Sequence, residues 1–193
     1  MFTDYEVLSR IVSSRRTIRK FVDKPIDESI ILDVLSLARL SPSGANRQPL
    51  NYVVVLDEAM RGEIFDHVKW AGYIAPDGTP GEGERPTGYI AIVSDDTISK
   101  APDIDLGASA MTINYLLEAR GIGVCWMGAI DRVAISSLLG IIEPQKLQLV
   151  LAIGYKGEEP RVVDMVDSVK YYKDEEGVLH VPKRKLGDIV RII

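Results

Sequence analysis

Cysteine occurs once in this sequence, at Cys125, and histidine twice, at His67 and His180. A single thiol excludes an internal disulfide framework and any cysteine-built zinc site, and it suits a reducing, cytoplasmic setting. The two histidines lie far apart with no ligand spacing around them, so no metal is expected, and a surface or hydrogen-bonded role suits each. Long apolar runs are missing as well. The longest stretch without a strongly polar residue, 121–130, is about half of the roughly 20 residues that a membrane span needs, and Met1 to Glu6 lack the basic and apolar segments of an export signal. Nucleotide signatures are absent: Gly121 and Gly123 begin a dinucleotide fingerprint, but Trp126 stands at its third glycine, and no Walker A sequence occurs. A serine-hydrolase elbow fails at Met111, where the last glycine belongs.

What is present is an ordinary globular composition, with 46% hydrophobic and 26% charged residues over 193 positions. That length predicts one domain over 1–193, burying roughly 70% of the surface of the unfolded chain. The net charge of −5 hides an asymmetry: Arg10, Arg15, Arg16, Arg19, Lys20 and Lys24 face only Asp23, so this stretch is +5 and the remainder −10. A short cationic island in an acidic chain suits one small anion and argues against a nucleic-acid track.

Periodicity places the elements. Apolar residues at helical spacing predict a helix over 4–15 and a second one, capped by Asp27, that buries Ile30, Ile31, Val34, Leu35 and Ala38. Residues 52–56 read as a buried strand and 58–70 as a helix. The glycines and prolines of 71–88 make this the longest irregular segment, the kind that is usually functional or mobile. A strand over 89–93, a buried helix over 105–120 ended by Gly121, and strands over 123–126 and 147–153 follow, the last two separated by a helix that Asp131 caps. Residues 171–193 read as an extended arm. Helices precede the alternation, which predicts an α+β sandwich with a central mixed sheet.

Four elements carry chemistry. Ser14-Arg15-Arg16-Thr17-Ile18-Arg19-Lys20-Phe21 follows a helix and offers guanidinium forks and a hydroxyl suited to phosphate, although a solvated cationic helix end needs no ligand. Ser41-Pro42-Ser43-Gly44-Ala45-Asn46-Arg47-Gln48-Pro49 is a loop of small and amide residues that lets a flat ligand approach the backbone, or is simply a connection. Cys125-Trp126-Met127-Gly128 ends a strand with backbone N–H groups free to face a ligand, and His180-Val181-Pro182-Lys183-Arg184-Lys185 is a basic patch near the C-terminus.

In this order and at these separations, the four elements resemble the nitroreductase family of FMN-dependent oxidoreductases. The resemblance spans nearly the whole chain. It implies a three-layer α+β sandwich with a mixed, mainly antiparallel sheet, and an intertwined homodimer with FMN at the interface and an arm reaching the partner subunit. It also implies that Arg15, Arg16 and Thr17 hold the phosphate and ribityl chain, and that Arg19 lies near the pyrimidine edge of the ring. Pro42, Ser43, Gly44 and Asn46 would come from the partner subunit and pack against the isoalloxazine, with Gln48 a further cofactor-binding residue; Met127 and Gly128 would line the other side of the flavin, the Gly128 N–H directed at its N5. Lys183 and either Arg184 or Lys185 would close on the phosphate. The implied activity is reduction of small nitroaromatic, quinone or related acceptors by NADH or NADPH in a ping-pong cycle, with no side chain acting as catalytic base. Dehalogenating or flavin-fragmenting chemistry and a non-catalytic flavin-binding module are the alternatives. This chain departs from the family at Leu50, where Gln-Pro-Trp is common, and its 71–88 segment falls where family members differ in the lid over the substrate face.

Overall fold

The computed structural model describes residues 2–193. Side-chain caps set most helix starts. Thr3 and Glu6 form a reciprocal capping box before α1 (Asp4–Ser14), and Asp27 accepts from the Ser29 N–H to open α2 (Glu28–Ala38). Asp57 and Asp131 open α3 (Glu58–Asp66) and α5 (Arg132–Leu138) in the same way. The long α4 (Asp103–Glu118) unwinds at Gly121, whose φ of +73° is readily reached only without a Cβ. Helix α3 stops at Asp66 and not at residue 70, because Val68 leaves the helix to bridge Ile130.

The central sheet is built from β1 (Phe21–Val22), β2 (Leu50–Val55), β3 (Gly88–Asp95), β4 (Ile122–Met127) and β5 (Gln145–Lys156). Strand β3 lies between β2 and β5, and Tyr155 of β5 pairs with both Val22 and Ile122, so β1 and β4 flank β5 on opposite sides. Every pairing of these strands is antiparallel, and the parallel component enters through one bridge, Thr17 to Val124. Helices cover both faces. Ile90, Ile92, Val124, Leu149, Leu151 and Ile153 pack under α2 and α4, while Tyr89, Ala91, Val93, Met127, Val150 and Ala152 pack under α3 and α5. Burial on both faces is why 149–153 is a continuous apolar run. A bulge at Gln148 puts Leu147 and Leu149 on opposite faces although they are two residues apart, and the Gln148 amide donates to Ser94 Oγ at 2.7 Å.

The stretch expected as an extended arm over 171–193 is extended only in part. Strands β7 (Tyr172–Lys173) and β8 (Leu179–Lys183) fold against β6 (Arg161–Asp164) as a small second sheet. His180 is not a loose tail residue: its Nε2 meets the Asp174 carboxylate at 2.7 Å and its ring stacks on Tyr172. Beyond Lys183 the chain is exposed.

Candidate functional site

Residues 15–21 leave α1 and cross β4. Thr17 bridges Val124, the Ile18 N–H donates to the Val124 carbonyl at 3.1 Å, and Phe21 pairs with Lys156 of β5. Two glycines opposite one another in register make this crossing possible. A Cβ on Gly123 would sit 2.6 Å from Ile18 Cγ1, and one on Gly154 would sit 2.6 Å from Phe21 Cδ1, both far inside contact distance. The Glu158 carboxylate accepts from the Arg19 and Lys20 N–H groups at 2.5 and 3.2 Å, and Lys20 pairs with Glu84 at 2.8 Å. The backbone of the cationic segment is thus fixed on both sides.

Its side chains are less committed. Arg15 Nε is buried with no acceptor among the described residues. The Arg16 guanidinium folds back to donate to the Ser13 and Arg15 carbonyls at the end of α1, and burial, with Arg15 beside it, lowers its pKa. Arg19 lies over the Tyr171 ring, 4.8 Å from its centroid. Among the described residues, none of Arg15, Arg16, Arg19, Lys183 and Arg184 has a carboxylate partner. Burial pushes the Cys125 thiol up to about 11, so it stays protonated at neutral pH and supplies no nucleophile.

Strand β4 runs from this crossing to Met127, which is buried, and Gly128, which is exposed with nothing within 4 Å of where a Cβ would stand. The strand end is tied to the chain leaving α3: Lys69 N–H donates to the Ala129 carbonyl, and Asp131 N–H to the His67 carbonyl, each at 2.9 Å. The 71–88 segment therefore starts beside Gly128. It returns to the cationic segment through Tyr73, whose ring meets Tyr171 at 5.0 Å.

The loop of Pro42, Ser43, Gly44, Asn46 and Gln48 is organised by Asp105 in the first turn of α4. One carboxylate oxygen accepts from Ser43 Oγ at 2.6 Å and the other from the Gly44 N–H at 2.9 Å, and these bonds hold the carboxyl below its usual pKa. Ser43 Oγ in turn accepts from the Gln48 N–H at 2.9 Å. The anchor holds an unusual backbone, with Ala45, Asn46 and Gln48 all left-handed at φ 50°, 53° and 53°. Such a conformation costs about 1–2 kcal/mol for a residue with a Cβ, so the loop needs something to hold it.

Within one chain Arg15, Arg16, Thr17 and Arg19 lie on the segment that crosses β4, and Met127 and Gly128 lie at the end of that strand and just beyond it, whereas the 42–48 loop lies elsewhere. That loop leads into β2, and the sheet order β2-β3-β5-β4 separates it from β4 by three strand spacings, about 14 Å. Lys183 ends β8 and Arg184 follows it, both exposed, and Arg184 donates to the Asp188 carbonyl at 2.6 Å. Sequence reasoning missed Asp105, Glu158 and Tyr171. Asp105 is one of the two acids that open α4, Asp103 and Asp105; acids are common at helix starts, and nothing local marks which one reaches the loop.

The description "Nitroreductase family" belongs to the family model that matches residues 12–155. An Archaeoglobus fulgidus protein named "Putative NADH dehydrogenase/NAD(P)H nitroreductase" is 32% identical over 159 residues, covering 78% of this chain and 86% of its own. A "5,6-dimethylbenzimidazole synthase" of Rhodospirillum rubrum is 26% identical over 183 residues, covering 82% of this chain and 86% of its own. Among solved structures, a mutant of the "FMN and NADPH-dependent nitroreductase NfnB" from sphigopyxis sp. strain HMH superposes with a TM-score of 0.71 at 20% identity, covering 96% of this chain and 98% of that one. The fold is shared with it.

Proposed function

Because the chain belongs to the nitroreductase family, an oxidoreductase family, we propose that it is a cytoplasmic, homodimeric FMN enzyme that uses NADH or NADPH to reduce small nitroaromatic, quinone or related acceptors. The observation that carries this reading is the cationic segment held at the sheet edge, in which the guanidinium groups of Arg15, Arg16 and Arg19 have no carboxylate partner among the described residues. FMN brings a phosphate of about −1.5 to −2, and Arg15 keeps a buried donor in need of an acceptor. The residues present therefore fit the cofactor. Arg16 would have to release the carbonyls at the end of α1 to reach a phosphate.

In this reading Arg15, Arg16 and Thr17 hold the phosphate and ribityl chain, and Lys183 and Arg184 or Lys185 close over it. Arg19, held over the Tyr171 ring, presents positive charge to the pyrimidine edge, which favours two-electron reduction. Met127 and Gly128 line the ring, and the absence of a side chain at Gly128 lets a flat group approach the backbone. FMN, when bound, supplies the hydride-transfer chemistry between nicotinamide and acceptor in a ping-pong cycle. The chain binds, orients and excludes water; no side chain is assigned as a base.

Dimerisation has its own support. The 42–48 loop and the cationic segment lie on opposite edges of the sheet, so a second copy is the natural source of the missing half. Apolar surface is also left uncovered: α1 has no buried residue, with Tyr5, Leu8 and Val12 exposed, and so are Leu186, Ile189, Val190, Ile192 and Ile193 at the C-terminus.

Purified protein is expected to be yellow or to become so with FMN, and to bleach under anaerobic NADH or NADPH and regain colour with a nitroaromatic or quinone. Colourless protein that binds no FMN refutes the reading. Flavin-fragmenting chemistry is the second reading, favoured by the Rhodospirillum rubrum relative, whose name is that of a synthase and not a reductase. Slow loss of flavin absorbance in air without acceptor turnover would select it.

A further inference from the structure

Arg19 combines a clamped backbone with an open charge. Its N–H donates to Glu158 Oε1 at 2.5 Å, and the same oxygen accepts from the Lys20 N–H, so this carboxylate is taken up by the main chain. The next residue uses its charge within the chain, since Lys20 Nζ reaches both oxygens of Glu84 at 2.8 Å. The Arg19 guanidinium has no carboxylate partner among the described residues and lies over the Tyr171 ring, 4.8 Å from its centroid. Tyr171 is held in turn. Its ring meets that of Tyr73 at 5.0 Å, tilted by 53°, and two residues on, Lys173 Nζ donates to the Asp77 carbonyl at 3.0 Å. Residues 171–173 thus grip 73–77 at two points, and Tyr171 links Arg19 to the 71–88 segment.

A charge acts on a ligand only as its position allows, because Coulomb energy falls with distance. Arginine is long and flexible, so a fixed backbone does not by itself fix the guanidinium. An aromatic face does, through cation–π attraction and stacking of the planar group. At a partly exposed site such a contact favours the stacked position by about two- to fivefold. That factor sets the size of the effect expected when the ring is removed.

We propose, resting on the FMN reading above, that Tyr171 is a positioning residue that holds the Arg19 guanidinium where its charge acts on the flavin, and that Tyr73 braces Tyr171. The reduction potential of the bound flavin then depends on how the 71–88 segment is seated. Tyr171 acts through Arg19 and is not itself a catalytic residue. The sign follows from charge: a cation held at the pyrimidine edge stabilises the reduced, negatively charged ring, so loosening Arg19 favours the oxidised form.

The readout is the midpoint potential of FMN bound to the purified protein, measured anaerobically against a reference dye at FMN concentrations that saturate each variant. Tyr171→Ala is expected to move the equilibrium toward oxidised flavin by about two- to fivefold, or about 10–20 mV for a two-electron couple. Tyr171→Phe keeps the ring and should keep the parent potential. Arg19→Gln should move the potential further in the same direction, and adding Tyr171→Ala to it should change nothing more, because no guanidinium is left to position. A merely structural ring would give the same shift with Arg19 present or absent. Tyr73→Ala removes only the brace and should give a smaller shift of the same sign. An unchanged potential in Tyr171→Ala, a shift as large in Tyr171→Phe, or a Tyr171→Ala shift that persists without the Arg19 charge overturns the proposal, and an unchanged Tyr73→Ala overturns the brace. Protein that binds no FMN overturns the FMN reading together with this one, whereas bound FMN with the parent potential in Tyr171→Ala overturns this one alone.

Discussion

Asp105 is the side chain whose removal tests most directly how the 42–48 loop is held. Asp105→Ala deletes two hydrogen bonds to a carboxylate, from Ser43 Oγ and the Gly44 N–H. Bonds to charged groups contribute about 1.5–3 kcal/mol each. Gly44 is exposed and Ser43 only half-buried, so water recovers part of the loss, and a net cost of about 2 kcal/mol is expected. In a domain of this size that lowers the thermal midpoint by about 4–8 °C. Asp105→Asn keeps one acceptor for the Gly44 N–H and turns its NH₂ toward Ser43 Oγ, which has a lone pair left after accepting from Gln48; about half the loss is expected. The pH dependence supplies a second check. Because the folded carboxyl titrates below its unfolded value, its contribution is complete above about pH 4 and disappears as the pH falls through the folded pKa. The gap between parent and Asp105→Ala, measured by circular dichroism melting, should thus be full at pH 7 and shrink below about pH 4. A gap under about 0.5 kcal/mol at pH 7, or one that does not narrow in acid, would refute the account of the loop.

Gly123→Ala forces a methyl against Ile18 at 2.6 Å and should cost about 1–3 kcal/mol by overpacking; it should also weaken FMN binding, because Thr17 and Arg19 flank Ile18. Gly62→Ala is the control: its Cβ meets nothing within 4 Å on α3, and a stability gain of about 0.5–1 kcal/mol is expected by chemical denaturation. Arg16→Ala should lower FMN affinity roughly tenfold by fluorescence titration, with a modest loss of stability because the guanidinium also donates to the Ser13 and Arg15 carbonyls; unchanged affinity would mean that the phosphate lies elsewhere.

Much of the fold could be read from local signals. Asp27, Asp131 and Gly121 marked helix ends because capping and left-handed turns are nearest-neighbour physics, and 147–153 declared itself a strand by its short, largely apolar run. The order of the strands was not readable, since pairing β5 with β3 on one side and β4 on the other joins residues dozens of positions apart. Consequently the sequence named the cationic segment and the 42–48 loop but not their separation across the sheet. Asp105 escaped notice for the same reason: its partners, Ser43 and Gly44, lie about sixty positions upstream. His180 was read as part of a solvated patch because its bond to Asp174 depends on the hairpin that brings them together.

The placement of the two site halves on opposite sheet edges has a genetic consequence. In the proposed dimer each chain lends its cationic edge to one site and its loop edge to the other. A chain crippled at the cationic edge and a chain crippled at the loop, each inactive when paired with itself, therefore combine into a mixed pair in which both lesions fall on the same site. The opposite site is then assembled wholly from sound parts, so two null alleles complement each other, and one such allele expressed beside the natural chain still leaves one working site in each mixed pair.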